Sequence, residues 1–290
     1  MHGSHTGTVA PGPGIVFACI APHGELAIGE ADTAGATPGA ATRRAMVELG
    51  RRFDAAAPDA VVVLTPHGIH VGGHVAVVVA GRVAGSLAEA PAIALDLPAD
   101  RHLAAAILDA LAADGIPAVP VSYGGNDPGE AVMPLDWGSL IPLWHLGGRR
   151  EPPTPVVLVS PARDLPVTSH VAAGASIARA IAACGRRAAL VASADQAHTH
   201  AADGPYGFDP AAAVFDALVL STLREGRLGA LAGIDPALVE AAKPDSWWQM
   251  LMLSGALDGS WTPEVLSSEV PTYYGMLCAD FVRASGAATA

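Results

Sequence analysis

Basic side chains are scarce in this chain: 16 Lys and Arg stand against 28 Asp and Glu, a formal net charge of −12. Phosphates are repelled by such a balance and no local basic cluster offsets it, so no nucleic-acid partner is expected. Arg43-Arg44 and Arg51-Arg52 share one amphipathic segment and read as its solvated face. Cysteine is scarcer still. Cys19, Cys184 and Cys278 lie far apart, odd in number and with no Cys-x-x-Cys, which excludes a disulfide scaffold and predicts thiols in a reducing cytoplasm. Long apolar runs are missing as well, because charges, Gly or Pro break each one short of a bilayer's span, and no membrane association is expected. Residues 1–13 lack the basic-then-apolar order of a signal peptide; they read as a flexible leader in which His2 and His5 have no part in chemistry, with 285–290 as a tail.

What is present is apolar bulk. Hydrophobic residues make up 51% of 290 and charged ones 15%, enough to fill a large core and too apolar for extensive disorder. Strand-like runs at 15–20, 60–65, 75–80, 118–122, 156–160 and 188–192 alternate with helix-like stretches at 38–55, 100–113, 136–146 and 167–184. From Asp209 the chain reads as mainly helical, at 209–224, 236–242 and 245–257, before a final segment at 269–284. This alternation predicts one α/β domain over 14–284, with a central mostly parallel or mixed sheet and helices on both faces. Gly124–Pro134 reads as a loop long enough to be functional.

Two segments nearly copy each other: Ile20-Ala21-Pro22-His23-Gly24 and Leu64-Thr65-Pro66-His67-Gly68. Each ends a β-branched run, since proline cannot donate to a sheet ladder and glycine lets the chain turn away. Each histidine is thereby left at a strand's carboxyl end, where open α/β sheets bind ligands. Two imidazoles placed alike suggest a shared metal ion, while the plainer reading is that each fills a tight turn. His198 is placed similarly, three residues beyond Asp195, whose carboxylate could fix the imidazole tautomer for acid–base work. His200 is close by, but the turn should point only one of the two inward. His70 and His74 sit among glycines that argue against an aligning helix, and His102, His145 and His170 fall in helical segments as structural residues. Two histidines and one carboxylate would form a facial triad with open positions on Fe(II), or a catalytic zinc site. Spacing does not say which Glu or Asp supplies the carboxylate; Glu25 is close to His23, and Glu269 sits in the unusual run Ser268-Glu269-Val270-Pro271-Thr272-Tyr273-Tyr274-Gly275.

The strand-Pro-His-Gly turns, the run Ser193-Ala194-Asp195-Gln196-Ala197-His198, and the tail from Lys243-Pro244-Asp245-Ser246-Trp247-Trp248 through Glu269 resemble the class III extradiol ring-cleavage dioxygenases. More narrowly, the chain is similar to their catalytic B-type (LigB-like) subunit, in matching order over roughly residues 14–283. The resemblance implies His23 and His67 as iron ligands, Glu269 as the carboxylate ligand, and His198 as the acid–base histidine with Asp195 beside it. It further implies Fe(II) as cofactor, a catechol- or aminophenol-type aromatic and O₂ as substrates, a homo-oligomer, and room for a small partner subunit. One departure stands out. The family's Asp-His-Gly is here Asp136-Trp137-Gly138, so Trp137 is expected in the substrate pocket, where an indole can stack but not shuttle protons. Two alternatives remain: a Zn²⁺-dependent hydrolase using the same ligands, and a non-catalytic Memo-like relative that binds metal or a partner.

Overall fold

The structure is a computed structural model that describes residues 12–29 and 37–284; the expected tail and all but the last two residues of the leader lie outside these. At its centre is an eight-stranded sheet whose strands lie in the spatial order β10 (Trp261–Glu269), β11 (Met276–Arg283), β1 (Gly14–Ala21), β9 (Arg187–Ser193), β2 (Ala60–Leu64), β8 (Val156–Ser160), β3 (Val75–Val78) and β6 (Ala118–Val121). The parallel middle consists of β1 (Gly14–Ala21), β9 (Arg187–Ser193), β2 (Ala60–Leu64) and β8 (Val156–Ser160). All five residues of β2 and of β8 are buried, as a strand covered on both faces requires. Next to β8, β3 (Val75–Val78) runs antiparallel, and β6 (Ala118–Val121) lies parallel to β3 at that edge.

One apolar layer packs α2 (Arg101–Ala113), α4 (Val167–Ala183), α5 (Ala211–Arg224), α6 (Pro236–Ala242) and α7 (Trp247–Ala256) on one face of the sheet. The other layer holds α1 (Ala40–Ala56), α3 (Trp137–His145) and a small sheet of β5 (Ala94–Pro98), β4 (Arg82–Ser86) and β7 (Val132–Pro134). The fold is therefore α/β with helices on both faces of a mixed, mostly parallel sheet. No helix among the described residues is long and apolar enough to cross a membrane.

Three readings of the sequence change in detail. Helix α1 starts at Ala40 and not at Pro38, because Gly39 adopts a left-handed conformation (φ 76°) just before it. The Gly/Pro loop ends in a short strand, β7, paired to β4. The final segment is preceded by a strand the pattern did not show: β10 (Trp261–Glu269) pairs antiparallel with β11 (Met276–Arg283), which pairs antiparallel with β1. Pro263 and an irregular burial pattern hide β10, and both suit an edge strand.

Helices α4 and α7 approach so closely that neither Gly174 nor Gly255 has room for a side chain. A Cβ on Gly174 would run into the Met252 carbonyl, and one on Gly255 into that of Val171. Because α7 begins two residues after Asp245, this contact also fixes where Asp245 stands. Gly174→Ala is expected to lower stability by about 1–3 kcal/mol through forced helix separation, read as an earlier urea midpoint.

His145 ends α3 with its Nε2 3.2 Å from the Ala27 carbonyl, and burial pushes its pKa down from 6.5 to about 4. The unfolded chain thus takes up a proton before the folded one does. Its contribution to stability is present above pH 6.5 and is lost as the pH falls toward 4. Between pH 7.5 and 4.5 wild type should lose roughly 2 kcal/mol more than His145→Gln in urea unfolding. His170 is fully structural in its setting, buried with its ring nitrogens 3.0 and 3.1 Å from the carbonyls of Ala162 and Pro166.

Candidate metal centre

Four adjacent parallel strands end on the same edge, and each delivers a chemically useful residue just past its terminus. In spatial order these are His23 after β1, Asp195 after β9, His67 after β2 and Arg163 after β8. The twin Pro-His-Gly turns thus stand two strands apart with β9 between them. Their glycines are needed for space more than for backbone freedom. Gly24 has an ordinary φ of −66°, but a Cβ there would strike the Tyr274 phenol, and one on Gly68 would strike the Ser160 hydroxyl.

The two imidazoles face each other, Nε2 to Nε2, at 3.0 Å. Asp245 Oδ2 completes a triangle, 3.1 Å from His67 Nε2 and 3.4 Å from His23 Nε2. Ligand atoms about 2.1 Å from a shared ion stand about 3.0 Å apart at a right angle and about 3.4 Å apart at the tetrahedral angle. The three donors thus have the spacing of ligands around one cation, and they form a candidate metal-binding group among the described residues.

Hydrogen bonding sets His23 up for this. Ser193 Oγ donates its one proton to the Gly138 carbonyl, so it accepts from His23 Nδ1 at 3.0 Å. That fixes the Nδ1–H tautomer and leaves the Nε2 lone pair for a metal. His67 is held differently: its ring stacks on Trp137 at 4.2 Å between centroids, with 26° between planes. Gly138 packs against the edge of the same ring, and a Cβ there would crowd His67 Cδ2 and Thr65 Oγ1. The start of α3 is tied to the end of β2, because Asp136 accepts from Ser139 N and from Thr65 Oγ1, both at 2.8 Å.

The electrostatics point the same way. Burial alone would lower the His23 pKa, but Asp195 and Asp245 overcome it and lift it to about 9. Burial likewise works to raise Asp245, yet His23, His67 and His198 hold its carboxyl well below the usual range. Asp195, fully enclosed, is pushed up by burial against the pull of His23. Two buried carboxylates around two imidazoles make a strong demand for positive charge, which a divalent cation meets. Asp245 Oδ1 is buried without a hydrogen-bond partner, a further atom free to coordinate.

The other residues expected from sequence are placed as follows. Glu269 ends β10, at the same edge but with β11 between it and β1, and it is not brought to the histidines. Its Oε1 accepts from Thr42 N at 2.7 Å and Thr42 Oγ1 at 2.6 Å. This carboxylate satisfies the first turn of α1, where free N–H groups favour an anion. Asp245 takes the place at the metal group that the resemblance assigned to Glu269. Glu25 is paired with Glu89 and is not part of the group either. Asp195 turns to His23, not to His198: its Oδ1 accepts from His23 N at 3.0 Å and its Oδ2 is 3.5 Å from His23 Nε2.

His198 stands at the edge of the group, its Nε2 3.7 Å from Asp245 Oδ2 and its Nδ1 buried without a partner. Its ring lies on Tyr274, 5.4 Å between centroids and 20° between planes. His200 points away into a 2.8 Å contact with Asp216, so only one histidine of the pair is turned inward. Trp137, although stacked on His67, is 51% exposed and does not line the cavity beside the site. That cavity has a volume of about 670 Å³, and His67, His198, Asp245, Arg163, Lys243 and Trp248 are among the residues that line it.

Sequence reasoning missed Asp245 as a ligand because an acid before a helix reads as an N-cap. Its side chain does not cap α7. Its backbone carbonyl is gripped by Gln249 Nε2 at 2.5 Å, which turns the carboxylate toward the histidines.

Comparison with known proteins agrees with this architecture. A crystal structure of an uncharacterized protein, JW3007 from Escherichia coli K12, superposes with a TM-score of 0.62 at 20% identity, covering 91% of this chain and 98% of that one. Protein CA_C1420 of Clostridium acetobutylicum is 24% identical over 232 residues, 79% of this chain. The chain spans about half the length of that relative, 49%. The family model described as the catalytic LigB subunit of aromatic ring-opening dioxygenase matches residues 18–279, and both Pro-His-Gly turns and Asp245 fall within that span. This protein belongs to the LigB family, that of the catalytic subunit of aromatic ring-opening dioxygenases.

Proposed function

We propose that this protein is an Fe(II)-dependent extradiol dioxygenase that opens the ring of a catechol- or aminophenol-type aromatic with O₂. The observation that carries this reading is the triangle of His23 Nε2, His67 Nε2 and Asp245 Oδ2, of which His67 and Asp245 line a cavity large enough for an aromatic ring. Two histidines and one carboxylate on one side of an ion leave its other positions open to ligands. Iron bound there would supply adjacent sites for the two substrate oxygens and for O₂, and would let electron density pass between them.

The chain's own groups do the rest. His23 is locked by Ser193 in the tautomer that presents Nε2, and His67 is braced by Trp137 and Gly138. Asp195 adds a buried negative charge beside His23 and strengthens the site's hold on a cation. His198 lines the cavity with Nε2 directed at the ligand group, and this atom takes the proton of a substrate hydroxyl as that oxygen binds. Tyr274, flat against the imidazole, keeps it in position. No titratable group replaces the family's Asp-His-Gly histidine at Trp137, so the proton work falls to His198 alone.

The test is anaerobic loading with Fe(II), followed by addition of catechols with O₂ consumption recorded. The reading predicts O₂ uptake and a yellow ring-opened product. Zinc retained at the site with no O₂ uptake from any catechol or aminophenol would turn the assignment toward the hydrolase alternative.

A further inference from the structure

Helix α7 opens without the caps its sequence offers. Asp and Ser are both favoured N-cap residues, and Ser246 stands at the N-cap position, yet no side chain caps the helix there. Ser246 Oγ donates instead to Gln196 Oε1 at 3.2 Å, and Asp245 turns its carboxylate to the histidines. Where a local rule is broken in this way, the residues commonly serve a site.

The Ser246–Gln196 bond is one rung of a longer seam. Segments 193–199 and 241–249 run antiparallel and are bonded at four levels: Ser193 to Gln249, Gln196 to Ser246, His198 to Ala242 and Thr199 to Ala241. Gln249 Nε2 donates to the Ser193 carbonyl at 3.1 Å and to the Asp245 carbonyl at 2.5 Å. His198 N donates to the Ala242 carbonyl at 2.9 Å, and Thr199 Oγ1 to the Ala241 carbonyl at 3.2 Å. Ser193, Gln196, Thr199, Ser246 and Gln249 are all buried. Both neighbours of Gln249 Nε2 are carbonyl oxygens, so the amide cannot be turned round, and its Oε1 is left buried with no partner. An orphaned acceptor works against folding and persists where another requirement outweighs it.

One side of the seam carries Ser193, which fixes the His23 tautomer, together with Asp195 and His198; the other carries Asp245. We infer that Gln249, Gln196 and Ser246 are positioning residues of the candidate metal centre. By binding the Asp245 segment to the end of β9 they set the Asp245 carboxylate against the imidazoles of His23, His67 and His198. The inference rests on His23, His67 and Asp245 as a metal group, and not on the chemistry proposed for bound iron.

Titration with Co(II) tests it, because its visible spectrum reports ligand geometry and its binding needs no O₂ turnover. Gln249→Met keeps the shape of the side chain and removes both donors. It should weaken Co(II) binding about 10- to 100-fold, the range for an outer partner of a ligand, and shift the spectrum. Ser246→Ala removes the Gln196 rung without removing a cap, should weaken binding several-fold, and tests the same seam should Gln249→Met fail to fold. Asp100→Ala is the control. Asp100 caps α2 through Leu103 N at 3.0 Å, and Ala99 beside it bridges Val156 at the start of β8, the far edge of the sheet. This variant should unfold at lower urea yet keep wild-type Co(II) affinity and spectrum. Wild-type affinity and spectrum in folded Gln249→Met or in Ser246→Ala would overturn the inference alone, and so would an equal loss in Asp100→Ala. No Co(II) uptake by the wild-type protein would overturn the metal group and the inference together.

Discussion

Asp245→Ala is expected to lose nearly all bound iron while remaining folded, whereas Glu269→Gln should keep full iron occupancy. Asp245 supplies one of three donor atoms within 3.0–3.4 Å of each other, and its removal leaves two imidazoles with no carboxylate ligand. Loss of a direct ligand removes more affinity than loss of an outer partner, for which 10- to 100-fold is usual. Glu269, by contrast, serves the first turn of α1 through Thr42. Its neutral amide still offers an oxygen to those donors, so the cost falls on stability, about 0.5–2 kcal/mol, as for a weakened helix cap. Metal analysis of the two purified variants, with circular dichroism to verify folding, decides between the carboxylates. Iron retained in Asp245→Ala and lost in Glu269→Gln would restore the assignment that the family resemblance implied.

The second large effect belongs to His198. His198→Ala should retain iron and bind substrate, yet turn over about 10²- to 10⁴-fold more slowly, the range for a positioned proton-transfer group. Its ring is not one of the three donors, and its Nε2 is 3.7 Å from Asp245 Oδ2. The loss should appear in kcat. A variant that loses iron would make His198 a ligand instead. His200→Ala is the useful contrast: its imidazole is committed to Asp216, and its effect should be mainly on stability.

Much of this architecture was legible in the sequence because its determinants are local. A run such as Val61-Val62-Val63-Leu64 ended by proline can only be a buried strand that stops, and the histidine that follows can only lie at the sheet edge. Two such turns predicted a pair of facing imidazoles, and the structure has them at 3.0 Å. What could not be read was which distant carboxylate meets them. Asp245 and Glu269 both flank regular elements, and the difference lies in tertiary contacts: Gln249 draws the Asp245 loop inward, while Thr42 claims Glu269. The expected Asp195–His198 pairing failed for a similar reason. Three residues of separation suggested a local contact, but β9 lies beside β1, which places Asp195 against His23 across the strands. Trp137 was expected in the substrate pocket; it stacks on the His67 ring and is not among the residues that bound the cavity.

The most direct measurement is the fate of isotopically labelled O₂. The Fe(II)-loaded protein is given a catechol under labelled O₂, and the product is examined by mass spectrometry. The proposed chemistry predicts a ring-opened product carrying both atoms of one O₂ molecule, with one O₂ consumed per aromatic and the signal abolished in Asp245→Ala. Tightly bound iron together with unlabelled, intact aromatic across catechols and aminophenols would contradict it.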